Sequence, residues 1–389
     1  MGESNLKERG EIRVIDRREF IAGSSLALSA AALGGVASVT SQAEEQPQPR
    51  KKYRLIATEE AFASPEQVEY FRKAETSAWT DPDIELWRHF LNTGILLRRL
   101  LDVEQERLSI MDQAGVDMHL LSLTSPGVQC LNADAGTALA ASANDYLAEI
   151  IKRHPDRYAG LGSFAPQDPA RAAKEIDRAI TKLKLNGMIV NSSTNKEYFD
   201  NKKFYPIFEA LTALDTPLYI HPRNMPEPWN DMLKADVNLW AAIWGFQAET
   251  SLHAMRMIIS GVFDDFPNLK VVLGHMGEGV PYWLYRIDWM YLHNPADVYK
   301  SKSGRRLKRK PSEYVKDNIT ITTSGMNTHD VLNYNHTVLG ADHIMFAIDY
   351  PYQESVEAAT FMQTATLPEA DMEKITHGNA ERLFRIRKA

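Results

Sequence analysis

Four acid and imidazole side chains in this sequence have the chemistry to hold a divalent cation and move a proton: Glu59, His221, His275 and Asp349. They lie far apart along the chain, so no local motif joins them and a fold has to. Each sits in a short string that follows an apolar run: Glu59-Glu60-Ala61-Phe62, His221-Pro222-Arg223, Gly274-His275-Met276-Gly277-Glu278 and Asp349-Tyr350-Pro351-Tyr352. Carboxylates mixed with one or two imidazoles suit Zn²⁺, Mn²⁺ or Mg²⁺. The sole cysteine, Cys130, excludes both a cysteine metal cluster and an internal disulfide. Singly, each residue has a plainer reading: Glu59 as a solvated loop residue, either histidine as hydrogen-bonded packing, Asp349 as a turn before Tyr-Pro. Four such groups after four strand-like runs are hard to explain as independent accidents, and the set reads as metal-binding or catalytic.

The runs that would position them are short, apolar and rich in β-branched residues, and there are eight: residues 54–58, 118–123, 158–164, 187–190, 218–220, 270–273, 319–322 and 344–347. Helix-like stretches alternate with them, at 136–153, 169–183, 205–214, 250–261 and 281–292. Near-continuous apolar strands separated by helices predict a parallel sheet covered by helices. Eight units fit a closed (β/α)₈ TIM barrel, whose active site lies at the C-terminal strand ends. No glycine-rich phosphate loop follows the first run, which argues against a dinucleotide fold. The long gap between the first two runs predicts a helical insertion that caps the barrel mouth.

The chain has 389 residues and a formal net charge of −7, which gives no basic face for a nucleic acid. Residues 1–43 read as a twin-arginine-type signal: Arg17-Arg18, then Phe20, then an uncharged Ala/Ser/Gly-rich stretch ending near Ser41-Gln42-Ala43. That segment holds five basic and five acidic residues, so its removal leaves the charge at −7. A membrane anchor is the weaker reading of so small-residue-rich a stretch. Residues 44–52 read as a linker and 53–389 as one barrel domain, with the protein periplasmic or exported, or cytoplasmic if the leader is uncleaved. The basic run 300–310 reads as a solvated loop. Tyr282-Trp283-Leu284-Tyr285, at helical spacing, reads as core and subunit contact rather than a stacking platform.

Several strings, in order, resemble the amidohydrolase-2 decarboxylases of the amidohydrolase superfamily, such as the 5-carboxyvanillate, 2,3-dihydroxybenzoate and γ-resorcylate enzymes. They are Ala57-Thr58-Glu59-Glu60-Ala61-Phe62, Leu123-Thr124-Ser125-Pro126-Gly127-Val128-Gln129, Ala165-Pro166-Gln167-Asp168-Pro169, Tyr219-Ile220-His221-Pro222, Gly274-His275-Met276-Gly277-Glu278, Tyr282-Trp283-Leu284-Tyr285-Arg286 and Asp349-Tyr350-Pro351-Tyr352-Gln353. The 5-carboxyvanillate branch looks nearest. The resemblance implies one divalent metal (Mn²⁺ or Zn²⁺, with Mg²⁺ a third choice) on Glu59, His221 and Asp349. It makes His275 and Glu278 a proton-handling pair, Asp349 the proton donor, Arg286 the holder of an anionic substrate group, and Tyr352 and Asn191 pocket residues. Ala61 stands where some relatives carry a further histidine ligand, and Asn92 stands near the place of a second substrate-binding arginine.

The expected activity is non-oxidative decarboxylation of a hydroxylated aromatic acid to CO₂ and a phenol, by a homo-oligomer (dimer or tetramer), with no nucleic-acid or membrane partner. Two alternatives stay open. One is a metal-dependent hydrolase or hydratase of the same barrel, acting on an aromatic or lactone substrate. The other is an exported aromatic-acid-binding protein that kept the pocket.

Overall fold

The computed structural model describes residues 52–75, 81–92, 94–293 and 304–387. The signal-like segment 1–43, all of the linker but Lys52, and residues 300–303 of the basic run lie outside the described residues.

Eight strands form one parallel sheet in the order of the chain: β1 (Ile56–Phe62), β2 (Met118–Leu123), β3 (Tyr158–Ser163), β4 (Gly187–Asn191), β5 (Leu218–His221), β6 (Val271–Leu273), β7 (Ile319–Thr322) and β8 (Ile344–Met345). Helices alternate with them, so the architecture is the expected (β/α)₈ barrel. The predicted insertion is present: α1 (Pro65–Glu75), α2 (Pro82–Asn92), α3 (Gly94–Leu101) and α4 (Glu106–Ala114) all lie between β1 and β2. The other long helices are α5 (Ala133–Arg153), α6 (Pro169–Thr181), α7 (Tyr205–Ala213), α8 (Gly245–Ser260), α9 (Val280–Leu292), α10 (Pro311–Asn318), α11 (His329–Leu339) and α12 (Ser355–Gln363).

Local chemistry sets the boundaries. The Asn132 side chain accepts the Ala135 N–H at 2.9 Å to start α5. Asp168 accepts the Arg171 N–H at 3.0 Å with Pro169 in the first turn of α6; both are ordinary N-caps. Alternate residues of the strands divide two apolar layers. Met118, Leu120, Ala159, Leu161, Ile189, Tyr219, Val272 and Met345 fill the barrel interior, and Phe384 and Ile386 from the C-terminal segment pack with them. Their strand neighbours face the helices in a larger core.

Two strands differ from expectation by more than one residue at an end. β1 begins two residues later than the apolar run and continues through Phe62, fully buried. It contains a bulge: Ala57 pairs with His119 but Glu60 pairs with Leu121, so β1 spends three residues where β2 spends two. The extra residue resets the alternation. Ile56 faces the barrel interior, and Glu59, three residues on, faces it as well, while Glu60 faces outward. β8 pairs with β7 over two residues only, because Thr323 exchanges hydrogen bonds with Ala347 through its side chain instead of continuing the ladder. Backbone bonds from Thr58 N to Phe346 O at 3.1 Å, Asp349 N to Glu59 O at 3.1 Å and Ala61 N to Tyr350 O at 2.7 Å join β1 to the segment after β8.

A buried arginine from the barrel grips the insertion. Arg223, two residues past β5, donates to Asp83 at 2.7 Å, to Asp81 at 2.6 and 2.8 Å, and to the Ser193 carbonyl at 3.0 Å. Asn224 adds a bond to Asp83 at 2.9 Å. A buried ion pair is costly unless its remaining hydrogen bonds are met, and here they are.

Candidate active site

Glu59 is the centre of the site. It is 3 % exposed, and three hydroxyls from two other strands converge on one of its oxygens: Tyr219, Thr322 and Ser324 all donate to Oε2. The other oxygen, Oε1, is buried with no hydrogen-bond partner. It looks toward His221 Nε2 at 3.6 Å and His275 Nε2 at 3.8 Å. Only a glycine fits opposite: a Cβ on Gly274 would lie 2.7 Å from both Glu59 oxygens. Burial opposes the Glu59 charge, but the charges of His275 and His221 and the bonds from Ser324 and Tyr219 outweigh it and lower its pKa. Burial and the Glu59 carboxylate hold the Tyr219 hydroxyl well above the usual phenol range, so it remains a donor.

His221 ends β5. Its Nδ1 lies 2.8 Å from the Pro222 carbonyl, which can only accept, so Nδ1 carries a proton and Nε2 is the nitrogen that faces Glu59. One atom from each of Glu59, His221 and Asp349 lies within 4.8 Å of the others. A buried, orphaned carboxylate oxygen gathered with an imidazole Nε2 and a second carboxylate fits a divalent cation, because unpaired buried charge is otherwise costly.

His275 and Glu278 come from a tight turn after β6 in which His275, Met276 and Glu278 all have positive φ, at 48°, 55° and 54°. Non-glycine residues in that region store backbone strain, and such strain collects at functional sites. The Ser324 hydroxyl accepts the His275 backbone N–H at 2.9 Å. His275 Nδ1 donates to the buried Glu278 carboxylate at 2.7 Å, which aims Nε2 at Asp349 Oδ2, 3.6 Å away. Burial disfavours the imidazolium, but the Glu278 and Glu59 carboxylates raise the His275 pKa well above its ordinary value. Asp349, at φ 78°, is also strained. Burial raises its carboxyl pKa, partly offset by the hydrogen bond and charge of His275. A carboxyl biased toward its neutral form beside an imidazole biased toward its charged form is a pair suited to proton transfer.

A cavity of about 870 Å³ opens beside this pair, lined by His275, Glu278, Asp349 and Arg286 among apolar residues such as Phe246, Met255, Trp283 and Met290. Arg286 is exposed on α9 and, among the described residues, has no carboxylate partner. The other two pocket residues sit differently. Asn191 ends β4, buried, with its amide beside Gln129 at 3.4 Å and its Oδ1 without a protein partner. The Tyr352 hydroxyl bonds Thr124, and its N–H reaches the Asp349 carbonyl at 2.8 Å. Neither borders the large cavity. The side chain of Asn92 lies outside the described residues, while its neighbours Arg98 and Arg99 both pair with Glu106.

Tyr219, Thr322, Ser324 and Gly274 do not stand out as site residues in the sequence. A signal is nonetheless present: Tyr219 lies two residues before His221, and Thr322 two before Ser324, so strand alternation puts each on the interior face.

A barrel that gathers three groups able to hold a metal ion, beside a hydrogen-bonded imidazole–carboxylate pair, at its C-terminal strand ends has the layout of the metal-dependent (β/α)₈ enzymes. The profile described as Amidohydrolase matches residues 81–386, and the chain belongs to that family. Within the superfamily it is a decarboxylase. It is 38% identical over 343 residues to a γ-resorcylate decarboxylase from Polaromonas sp., an alignment covering 86% of this chain and 99% of the relative. Among solved structures, 5-carboxyvanillate decarboxylase from Sphingomonas paucimobilis matches with 48% identity and a TM-score of 0.82, covering 86% of this chain and 99% of that one. A 5-carboxyvanillate decarboxylase from Novosphingobium aromaticivorans, with bound manganese and 3-methoxy-4-hydroxy-5-nitrobenzoic acid, matches with 37% identity and a TM-score of 0.82, covering 86% and 97%.

Proposed function

We propose that the chain releases CO₂ from a hydroxylated aromatic acid of the 5-carboxyvanillate or dihydroxybenzoate kind, with one Mn²⁺ as its metal. The observation that carries this reading is the meeting of Glu59, His221 and Asp349 within 4.8 Å, beside a cavity whose wall also holds Arg286. Zn²⁺ and Mg²⁺ suit related donor sets; manganese is favoured because the Novosphingobium structure holds it.

Direct loss of CO₂ would leave an unstabilised aryl carbanion, so the ring must be protonated first. Asp349 gives its proton to the ring carbon that bears the carboxylate. The electrons of the C–C bond then return to the ring as CO₂ leaves, and a C–H bond stands where the carboxylate was. His275, oriented by Glu278, faces Asp349 and restores its proton. Arg286, in the wall of the same cavity, holds an anionic group of the substrate. A bound divalent cation supplies positive charge that orients the phenolic oxygen and the carboxylate together.

The test is CO₂ release by the manganese-loaded chain from 5-carboxyvanillate, 2,3-dihydroxybenzoate and γ-resorcylate. Turnover on at least one of them, abolished by a chelator and restored by Mn²⁺, is expected. One Mn²⁺ bound per chain with no CO₂ from any of the three would sink the proposal.

The same proposal extends to assembly and location. α9 turns Tyr282, Tyr285 and Trp289 to solvent, 68%, 81% and 48% exposed. So apolar a helix face suits burial against a second copy, as a dimer or tetramer. Residues 1–43 suit twin-arginine export to the periplasm. Native mass spectrometry of a periplasmic fraction is expected to give a multiple of a subunit that begins near residue 44. A full-length monomer found only in the cytoplasm would overturn both.

A further inference from the structure

We propose that Glu60 is a positioning residue for Asp349: its carboxylate clamps the backbone on either side of that residue. The inference rests on the reading of Asp349 as a metal-site residue. Glu60 is fully buried and faces away from the barrel interior. Its Oε1 accepts the Ile348 N–H at 2.9 Å and its Oε2 accepts the Tyr350 N–H at 3.1 Å. The Asp349 N–H between them goes to the Glu59 carbonyl at 3.1 Å. Three successive amides are therefore held by two successive glutamates of β1.

The segment needs such a hold. The β7–β8 ladder ends at Met345, four residues before Asp349. Asp349 then adopts φ 78°, a conformation a non-glycine residue keeps only when its surroundings impose it. With the Asp349 N–H held by the Glu59 carbonyl and the Tyr350 N–H by Glu60, the peptide planes on either side of Asp349 cannot rotate away, the Ile348 bond anchors the plane before them, and the Asp349 side chain stays turned toward His275 and Glu59. A carboxylate suits this place in a way that other side chains do not. It offers two acceptor oxygens and no donor, whereas a glutamine would set an NH₂ group against one of the two amides. An amide donated to each oxygen is the pattern that suits the ionised form. Arg107 accompanies the clamp: it donates to the Ala61 carbonyl at 2.6 Å and stacks over the Tyr350 ring at 4.6 Å.

The full chain with Glu60→Gln tests the assignment. Manganese affinity, read from the electron paramagnetic resonance signal of free Mn²⁺, is expected to weaken about 10- to 100-fold, the usual cost of losing a residue that orients a ligand. At saturating Mn²⁺, kcat should fall while KM changes less than about threefold. A double-mutant cycle separates positioning from general support of the barrel. If Glu60 acts through Asp349, Glu60→Gln adds nothing to the affinity loss of Asp349→Asn. Equal losses in both backgrounds, or wild-type affinity and kcat in Glu60→Gln, would overturn the clamp.

Hydrogen exchange on the unaltered manganese-loaded chain tests the clamp even if the variant fails to fold. The Ile348 and Tyr350 amides should be protected like the barrel strands, and rapid exchange there would also overturn the proposal. Neither the affinity cycle nor hydrogen exchange needs turnover. A chain that bound Mn²⁺, showed the coupling and released no CO₂ would uphold the clamp while rejecting the proposed reaction.

Discussion

Asp349→Asn is expected to lower kcat by about 10²- to 10⁴-fold, the usual worth of a positioned general acid. Asparagine keeps the volume of the side chain and tolerates positive φ better than most residues. The backbone bond from residue 349 to the Glu59 carbonyl does not involve the side chain and should persist. What is lost is the acidic proton. Asp349 is the group in the cavity wall whose carboxyl is pushed toward the protonated form by burial, and it lies 3.6 Å from His275, which can resupply it. The measurement is CO₂ release at saturating Mn²⁺, beside a thermal melt. A variant that melts like the parent and turns over as fast would remove Asp349 from the chemistry. A change confined to KM would make it a binding residue only.

His275→Asn is expected to be nearly as damaging, about 10²-fold or more in kcat, with the metal retained. Its three contacts divide the labour. The backbone N–H is fixed by Ser324, Nδ1 by Glu278, and Nε2 is left to face Asp349 and Glu59. Asparagine at this place can still reach Glu278 but has no titratable nitrogen to present to Asp349. Because carboxylates raise the pKa of His275, its charged form is favoured in the folded chain and is lost as pH rises through that raised value. The parent's rate should fall on that alkaline side, and the variant should lack the limb. An unchanged alkaline limb in His275→Asn would assign the titration to another group.

The barrel is legible in the sequence because its strands bury both faces and so leave continuous apolar runs in the chain. The ligand strings are legible because a polar group directly after such a run falls at the strand's C-terminal end. β1 departs from expectation for a physical reason. Two adjacent glutamates normally mark the end of a buried strand, yet here both are buried, because hydroxyls from β5 and β7 meet one oxygen of Glu59 and amides after β8 meet both oxygens of Glu60. Those partners lie 160 to 290 residues away in sequence, beyond any local pattern. Arg223 shows the same limit. In the sequence it stands only as the end of His221-Pro222-Arg223, since its acidic partners lie on the insertion, about 140 residues earlier. α8 begins five residues before the helical stretch expected at 250–261, because Gln247 and Glu249 interrupt its apolar rhythm.

The bulge in β1 has a consequence for how this chain tolerates changes in length. With one extra residue in the strand, Glu59 faces the barrel interior toward His221 and His275, and Glu60 faces the backbone behind it. Removing that residue would shift the phase by one position and exchange the two faces. The inward place would then fall to a carboxylate one step farther along the barrel axis, and the backbone around Asp349 would lose the two oxygens that hold it. Insertions and deletions should therefore be rejected over the three residues Thr58, Glu59 and Glu60. In a set of length variants screened for folding alone, those three positions should pass as readily as their neighbours; screened for metal uptake, they should be the ones that drop out.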